Sequence, residues 1–377
     1  MARDVIEREL TGTLAGHHCF AVANGSDDAD IRRLLRENAM PGRISLSFER
    51  EPNYFADANL PGETKHTIIA RDGGRVVCVG NCTNRQRFVN GQPATVGYLG
   101  GLRLDASHAG RFEILRHGYE FFHQLQADRP ADFYFTSIAA DNERARTLLE
   151  RGLPGMPNYE FIGEFVTFLL PSKRRQRVPP IEPANNLSAE QLIKLLNNHN
   201  REQQFAPCWS EDDLAALQPL GLQLDDFKSI GDSGRVDAVA ALWDQRGFKQ
   251  TVVRGYTPWL ARTRPVLNLA TRLAGGTKLP AIGKLLSNAF ASHVALGHHE
   301  PDTLIQLISA LRACAAQRGV ELLTLGFAAN DPRMAVLRRN FRSREYHSRL
   351  YVVRWPGCGG AARDLDGRWI APEVALL

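Results

Sequence analysis

The segment from Val96 to Glu113, VGYLGGLRLDASHAGRFE, contains the residues with the clearest chemical potential. Val96 to Leu104 reads as a strand, and Phe112 begins the apolar pattern of a helix. A tight turn between a strand and a helix brings several main-chain N–H groups together, and the helix dipole adds partial positive charge. Gly110 lets an anion approach the main chain closely because it has no Cβ. The segment therefore predicts a phosphate-binding turn at residues 105–111.

Two tyrosines near this segment offer acid–base chemistry. Tyr98 lies on the strand before the turn, and Tyr159 follows the next predicted strand–helix unit. A tyrosine hydroxyl can exchange a proton with a reacting group when it lies within hydrogen-bond distance. The alternative for each is a core tyrosine whose hydroxyl is satisfied internally. The paired histidines at 17–18 and 298–299 lack the spacing of metal ligands, so no metal site is predicted.

An internal repeat indicates which elements position these residues. An offset of 189 residues (328 − 139) aligns the two halves without a gap from about residue 113 to 149. The shared unit is a helix, a strand and a second helix, with strands predicted at Asp132–Ile138 and Glu321–Phe327. Asn142 and Asp331 occupy matching positions as N-caps of the second helix. Two copies capped at the same place favour a duplicated architecture.

The break between the halves is the segment PSKRRQRVPPIEPA at Pro171–Ala184, which holds four prolines. Proline fixes φ and removes a hydrogen-bond donor, so neither a helix nor a strand continues through this segment. We predict a first domain at 1–171, a linker at 172–184 and a second domain at 185–377. Asn90-Gly91 is the strongest hairpin signal. The predicted fold class is mixed α/β (α+β), with a mostly antiparallel sheet flanked by helices in each domain.

Composition restricts the class of protein. The 377 residues are 44% apolar and 23% charged, which is typical of a globular chain, and the length favours two domains. No run of 18 apolar residues and no apolar leader are present, so neither a membrane span nor a secretory signal is predicted. The six scattered cysteines read as reduced thiols, which predicts a cytoplasmic location. The net charge of +5 favours anionic partners without choosing among them.

The turn and the unit after it resemble the GCN5-related N-acetyltransferase (GNAT) superfamily. In that superfamily a strand runs into the motif R/Q-x-x-G-x-G/A and then a helix, and the turn holds the diphosphate of acetyl-CoA. His108–Phe112 corresponds to the end of this motif: Gly110 is kept, and Phe112 stands where a small residue is usual. The segment Phe135–Gly152 resembles the following strand and helix, with NERA at 142–145 in place of the usual Asn-x-x-Ala.

The resemblance implies two tandem acetyltransferase-like domains, with acetyl-CoA bound to the first as co-substrate and no metal. In the second domain the repeat places His298–Glu300 at the turn, without glycine or arginine, so no diphosphate site is expected there. Tyr98 and Tyr159 are the candidate catalytic residues. The residues implied in cofactor binding are Leu102 and Leu104 on the strand, Ala109, Gly110, Arg111 and Phe112 in the turn, and Asn142 and Ala145 at the next helix.

The activity implied by the resemblance is transfer of an acetyl group from acetyl-CoA to a primary amine of a small molecule or peptide, by direct attack on the thioester. Two alternatives stay open. One is a non-catalytic binding or scaffold protein of the same fold, and the other is a Fem-type transferase that takes its aminoacyl group from charged tRNA. A nucleic acid is expected as a partner only in the last case, where binding would weaken with salt. The sequence carries no signal for the acceptor or the oligomeric state.

Overall fold

The computed structural model describes residues 13–15, 18–57, 64–172, 182–183, 187–232, 235–273, 278–297, 301–355 and 364–377. Most of the predicted linker at 172–184, and the second turn at His298–Glu300, lie outside these residues. Within them the chain forms one long sheet, a separate two-stranded ribbon and a set of helices.

The elements are numbered in chain order within the described residues. The strands are β1 (Thr13–Ala15), β2 (His18–Val22), β3 (Ile44–Glu49), β4 (Thr64–Asp72), β5 (Arg75–Val89), β6 (Gln92–Leu104), β7 (Phe133–Ala139), β8 (Asn158–Pro171), β9 (Glu182–Pro183), β10 (Phe227–Asp232), β11 (Arg235–Trp243), β12 (Gln250–Tyr256), β13 (Asn288–Leu296), β14 (Leu322–Ala328) and β15 (Arg344–Arg354). The α-helices are α1 (Asp28–Glu37), α2 (Phe112–Leu125), α3 (Glu143–Leu149), α4 (Ala189–Asn200), α5 (Glu211–Leu217), α6 (Pro258–Leu273), α7 (Pro301–Gln317) and α8 (Arg333–Asn340).

Local sequence signals placed many of these elements correctly. Helix α1 buries the apolar residues Ile31, Leu34 and Leu35, which recur at helical spacing. Ser188 and Gln191 form a capping box at the start of α4, as the Ser-x-x-Gln spacing favours. Asn90 and Gly91 have φ values of 52° and 79° and form the predicted turn between β5 and β6. Strands β7 and β14 lie 189 residues apart at both ends, so the repeat is present in the structure.

The order of strands in the long sheet joins the two halves of the chain. It runs β1-β2-β4-β5-β6-β7-β15-β8-β14-β13-β11-β10-β9. Strand β15, from the second half, pairs with β7, whereas β8, from the first half, pairs with β14. The last strand of each half is therefore inserted into the sheet of the other half. The mixed α/β fold is confirmed, whereas the predicted domain boundaries stay a prediction because one continuous sheet spans both halves.

Two apolar clusters hold β4, β5 and β6 between helices. Helix α2 buries Ile114 and Leu115 in a cluster with Phe20 from β2. Helix α1 buries Leu34 in a second cluster that contains Ile69 from β4. Each fully buried leucine or isoleucine contributes roughly 1.5–3 kcal/mol, so the strands that carry the predicted site are firmly packed from both sides. None of the helices in the described ranges is long and apolar enough to cross a bilayer.

Candidate active site

The central feature of the first half is a split between two parallel strands. Strands β6 and β7 pair from Val96 with Phe133 to Leu99 with Thr136, and their described pairing ends there. The Thr136 hydroxyl donates to the main-chain oxygen of Leu99 at 2.7 Å, at the point where the strands separate. Beyond it, one edge of each strand has no paired strand in the described residues.

A β-bulge follows directly after the split. Gly100 pairs with Asn81 of β5, but the next aligned pair is Arg103 with Val79, so Gly101 and Leu102 together oppose Gly80. Gly101 has φ of +64°, and a Cβ there would lie 2.4 Å from the Asn81 side chain. Only glycine fits both conditions without strain. A bulge takes a residue out of the ladder and re-aims the main chain, a device common next to active sites.

A cavity of about 580 Å³ opens at the split and the bulge. Helix α2 lines one side of the cavity with Leu115 and Tyr119, and the ribbon formed by β3 and β12 lines another with Phe48 and Thr251. Gly101 lies on its wall. The bulge therefore shares one cavity with α2 and with the ribbon, and this cavity is large enough to be considered for two substrates.

Comparisons with known proteins now identify the fold. No protein-family model and no curated protein matches the sequence. Several solved structures are similar in fold. They include N-myristoyltransferase of Saccharomyces cerevisiae with bound myristoyl-CoA (TM-score 0.63, 9% identity, 96% of this chain and 90% of that one), and GCN5-related N-acetyltransferases from Sphaerobacter thermophilus (0.52, 13%, 90% and 96%) and Anabaena variabilis (0.50, 11%, 89% and 72%).

The chain has the GNAT fold. The likeness covers nearly the whole chain at very low sequence identity, so it concerns the path of the main chain and not particular side chains. The resemblance stated from the sequence is confirmed at the level of fold.

The turn between β6 and α2 differs from the predicted phosphate cradle. The N–H groups of Ala109, Arg111 and Phe112 donate to main-chain oxygens of the turn itself at 2.9–3.1 Å. The side chains of Asn38 and Asp105 accept from the N–H groups of residues 106 and 107. These amides already have acceptors in this structure, and the roles predicted for Ala109, Arg111 and Phe112 in binding a diphosphate stay predictions. Gly110, with φ of +92°, is the residue between 105 and 112 whose N–H has no partner in the described chain.

The other predicted cofactor residues divide between cavity and core. Leu102 lies on the cavity wall, whereas Leu104 packs into the cluster beneath α2 and does not line the cavity. Asn142 and Ala145 both line the cavity. The Asn142 side chain accepts from the Ala145 N–H at 3.2 Å, so it caps α3 as predicted and is already engaged. Roles for these four residues in ligand binding stay predictions.

The structure favours the role of proton donor, and not that of general base, for the two candidate tyrosines. Tyr98 and Tyr159 both line the cavity. Burial raises the pKa of Tyr98 to about 12. Burial, together with its hydrogen-bonded neighbour Tyr119, raises the pKa of Tyr159 well above the usual value. Both phenols stay protonated at neutral pH, so they can donate a proton but are poorly suited to the role of general base.

Sequence reasoning missed a group of charged residues on the cavity wall. Asp57 accepts hydrogen bonds from Arg50 at 2.5 Å and from Lys65 at 2.6 Å. Lys249 of the second half donates to the main-chain oxygen of Leu377 at 2.5 Å. Burial, and then the charge of Arg50, lowers the pKa of Lys249 to about 7. No local motif predicts this group, because its residues come from distant segments of the chain. The pairing of β3 with β12 brings Arg50 and Lys249 together.

Three possible metal ligands also lie together, beside the turn. The Nε2 atom of His108 lies 2.9 Å from the Asp72 carboxylate, and the rings of His18 and His108 are 5.9 Å apart. Their ligand atoms lie within 4.8 Å of one another. Arg111 also approaches Asp72, at 3.8 Å, and competes with a cation for that carboxylate. The sequence predicted no metal, and this group does not by itself change that prediction.

Proposed function

We propose that this protein is an N-acyltransferase that moves an acyl group from a coenzyme A thioester to a primary amine. One observation carries the proposal: the split between β6 and β7 places the bulge at Gly101 on the wall of a large cavity. The GNAT fold supports it, since the similar structures include a protein solved with myristoyl-CoA and proteins named as N-acetyltransferases.

The split strand edge suits the thioester arm of the donor. The main chain of β6 beyond Leu99 has lost β7 as a partner, so its polar groups can pair with the amides of an extended ligand, as an added strand would. The bulge at Gly101 and Leu102 then supplies N–H groups close to the thioester carbonyl. Such donors stabilise the oxyanion that develops when an amine attacks. Most amides of the turn already have acceptors, so in this proposal side chains supply most contacts of the donor's diphosphate.

The chemistry forms one C–N bond and breaks one C–S bond. The neutral amine attacks the thioester carbon, the tetrahedral intermediate collapses, and the thiolate departs. The amine loses a proton and the thiolate takes one up, so a donor near the sulfur assists departure. Tyr98 and Tyr159 are both protonated and both line the cavity, and we assign this donor role to one of them.

Acetyl-CoA stays the proposed donor, and the cavity allows a test of this choice. Apolar side chains of α2, among them Ile114, Leu115 and Phe122, line one side of the cavity. This wall offers a longer chain an apolar surface, and each buried methylene is worth about 0.8 kcal/mol. A donor series from acetyl-CoA to myristoyl-CoA, with release of free thiol as readout, would identify the preferred length.

The deciding experiment is thiol release from each donor with a panel of primary amines. Amine-dependent release, together with a rise in melting temperature on donor binding, is expected. If no donor in the series raises the melting temperature and no amine releases thiol, the proposal is wrong. The occupied amides of the turn favour one competing function, a non-catalytic binding protein of the same fold. It would give a shift in melting temperature without thiol release from any amine.

A further inference from the structure

The cavity wall carries far more positive than negative charge. Within the described residues, the only carboxylate side chain on the wall is that of Asp57. The basic side chains on the wall are Arg50, Lys65, Arg87, Arg103, Arg246 and Lys249. Because a buried charge is costly unless it is compensated, this imbalance calls for an explanation.

Some of these charges are neutralised nearby, whereas those of Arg50 and Lys65 share a single carboxylate. Arg246 forms a two-pronged ion pair with Asp244, with distances of 2.6 Å and 2.9 Å. Asp57, in contrast, serves two cations at once, Arg50 and Lys65. One positive charge of this trio therefore remains uncompensated.

Lys249 adds a further charge to the same place. Strands β3 and β12 pair Glu49 with Gln250, so the next residues along, Arg50 and Lys249, lie side by side. The Lys249 ammonium donates to main-chain oxygens of the segment Ala375–Leu377. If Leu377 carries a free carboxylate, that group compensates Lys249, and the excess on Arg50, Lys65 and Asp57 still remains.

Arg103, on the same cavity wall, adds to the excess of positive charge. Arg103 donates to the main-chain oxygen of Leu102 and has no carboxylate partner in the described chain. Burial lowers the pKa of Arg103, and burial with the charge of Arg50 lowers the pKa of Lys249. The shift of Lys249 has the sign expected where like charges crowd a partly dehydrated space, and that of Arg103 reflects burial.

We propose that Arg50, Lys65 and Lys249 form a recognition site for an oxyanion group, a carboxylate or a phosphate, carried by the acceptor amine. This inference rests on the proposed function and specifies its acceptor class. Three donors converge on one side of the cavity, and charge-assisted hydrogen bonds to a carboxylate or phosphate are stronger than neutral ones. Asp57 holds two of these donors in place.

The register of the sheet limits the size of the acceptor. Lys65 pairs with Thr83 on β5, and Thr83 pairs with Tyr98 on β6. Lys65 and Tyr98 are therefore separated by two interstrand spacings, about 10 Å. The bulge at Gly101 lies three residues further along β6, about 10 Å from Tyr98, so the main chain at Lys65 is roughly 14 Å from the bulge. The Lys65 side chain covers part of this interval, so an acceptor that spans the rest has its amine and its anionic group within a distance on the order of 10 Å, as in an amino acid or a short acidic peptide.

A direct binding experiment tests the site without any catalysis. Glutarate and inorganic phosphate are titrated calorimetrically into the protein, prepared without a C-terminal tag. Lys249→Met and Lys65→Met are expected to weaken binding about 10- to 100-fold, the usual effect of losing a charged hydrogen bond. Lys228→Met is the matched control, because Lys228 does not line the cavity and bonds the main-chain oxygen of Asp225. Comparing the two anions separates a carboxylate site from a phosphate site.

A variant that is expected to tighten anion binding distinguishes loss of the site from loss of folding. Asp57→Asn removes the internal anion that competes with the ligand, so it is expected to tighten anion binding. Equal anion affinity in wild type, Lys249→Met and Lys65→Met would overturn the inference. Weaker binding to Asp57→Asn, in protein whose circular dichroism matches wild type, would also overturn it.

An acylation assay connects the site to the acceptor. β-Alanine, its uncharged amide and 2-aminoethylphosphonate are compared as acceptors. The anionic amines are expected to have the higher kcat/KM, and Lys249→Met should remove this preference mainly through KM. Equal rates for charged and uncharged amines would overturn the anion site while the acyltransferase proposal stands. Anion binding that depends on Lys249 and Lys65 but is never accompanied by thiol release would support the site and reject the transferase.

Discussion

Gly101 occupies the bulge of β6 with φ of +64°, and His293 occupies a bulge of β13 with φ of +53°. The two bulges match in register. Strand β6 pairs Gly100 with Asn81 and then Arg103 with Val79, while β13 pairs Ser292 with Ala241 and then Ala295 with Val239. Each bulged strand also pairs in parallel with the following strand, β7 or β14. The repeat therefore reproduces the geometry of the bulge as well as the order of elements.

The surroundings of the two bulges differ. The bulge at Gly101 opens on the cavity of about 580 Å³, whereas the space beside His293 is about 50 Å³. The main-chain N–H of His293 donates to the carboxylate of Glu373 at 2.8 Å. Trp209 stacks on the imidazole with ring centroids 4.1 Å apart. The second bulge is filled by the protein itself.

This difference supports the donor role that we propose for the bulge at Gly101. In the second half, the N–H at the bulge hydrogen-bonds to a carboxylate oxygen of Glu373. The same geometry at Gly101 faces a cavity. In our proposal the bulge supplies the donor, and the neighbouring segments decide whether a substrate can reach it.

The largest effect is expected from Gly101→Ala. The new Cβ would approach Asn81 to 2.4 Å and the residue would have to keep a positive φ, so the bulge N–H groups would move. Misplacing an oxyanion donor costs about 100- to 1,000-fold in kcat. Thiol release measures the loss. Gly25→Ala, where a Cβ meets no atom within 4 Å, is the control. Turnover within threefold of wild type would show that the bulge at Gly101 is not the oxyanion site.

A smaller effect on turnover is expected from Tyr98→Phe. The substitution removes a protonated hydroxyl on the cavity wall and leaves the ring against Phe135. If Tyr98 protonates the leaving thiolate, kcat falls by about 100-fold while KM changes little. Tyr159→Phe is the paired variant and should then retain most of the activity. A large loss in Tyr159→Phe alone would transfer the donor role to Tyr159.

Glu373→Ala tests whether the Glu373 carboxylate stabilises the bulge at His293. The Glu373 carboxylate accepts from the N–H groups of His293 and Ala375, so its loss leaves a buried donor at His293 without a partner. The expected cost is about 1–3 kcal/mol in the free energy of unfolding, measured by denaturant titration. Glu373→Gln keeps an acceptor oxygen and should cost less. Since Val374–Leu377 line the large cavity, acyl transfer should fall in the alanine variant as well. An unchanged unfolding free energy would mean that Glu373 does not hold this segment in place.

The smallest expected effect is a pH dependence of anion binding at the site formed by Arg50, Lys65 and Lys249. The pKa of Lys249 is lowered to about 7, so the ammonium becomes fully charged only well below pH 7 and loses its charge as the pH rises through that value. Glutarate affinity should therefore be highest below pH 7 and fall several-fold towards pH 8.5. Lys249→Arg keeps its charge throughout and should flatten the profile. A wild-type affinity that rises between pH 7 and 8.5 would contradict the assignment.

The sequence predicted the local elements because their causes are local. A cap such as Asn142 acts on an N–H three residues away, and the turn at Asn90-Gly91 depends on two residues. The hydrogen bonds that occupy the turn amides were not predicted. Those of Ala109, Arg111 and Phe112 end on main-chain oxygens two or three residues earlier, which depends on the exact path of the turn. That of residue 106 ends on the Asn38 side chain, 68 residues away in sequence, and no pattern within the turn predicts that contact.

By itself the sequence determined the repeat, the element types and the strand–turn–helix unit, because hydrophobic period, caps and turn residues act within a few positions. Only the tertiary structure decided the exchange of β8 and β15, the open bulge at Gly101 and the closed one at His293. The tertiary structure also decided the basic group at Arg50, Lys65 and Lys249, since pairing of β3 with β12 brings together residues about 200 positions apart. Such contacts depend on which strand edges meet, and that choice minimises the free energy of the whole sheet, not of any segment.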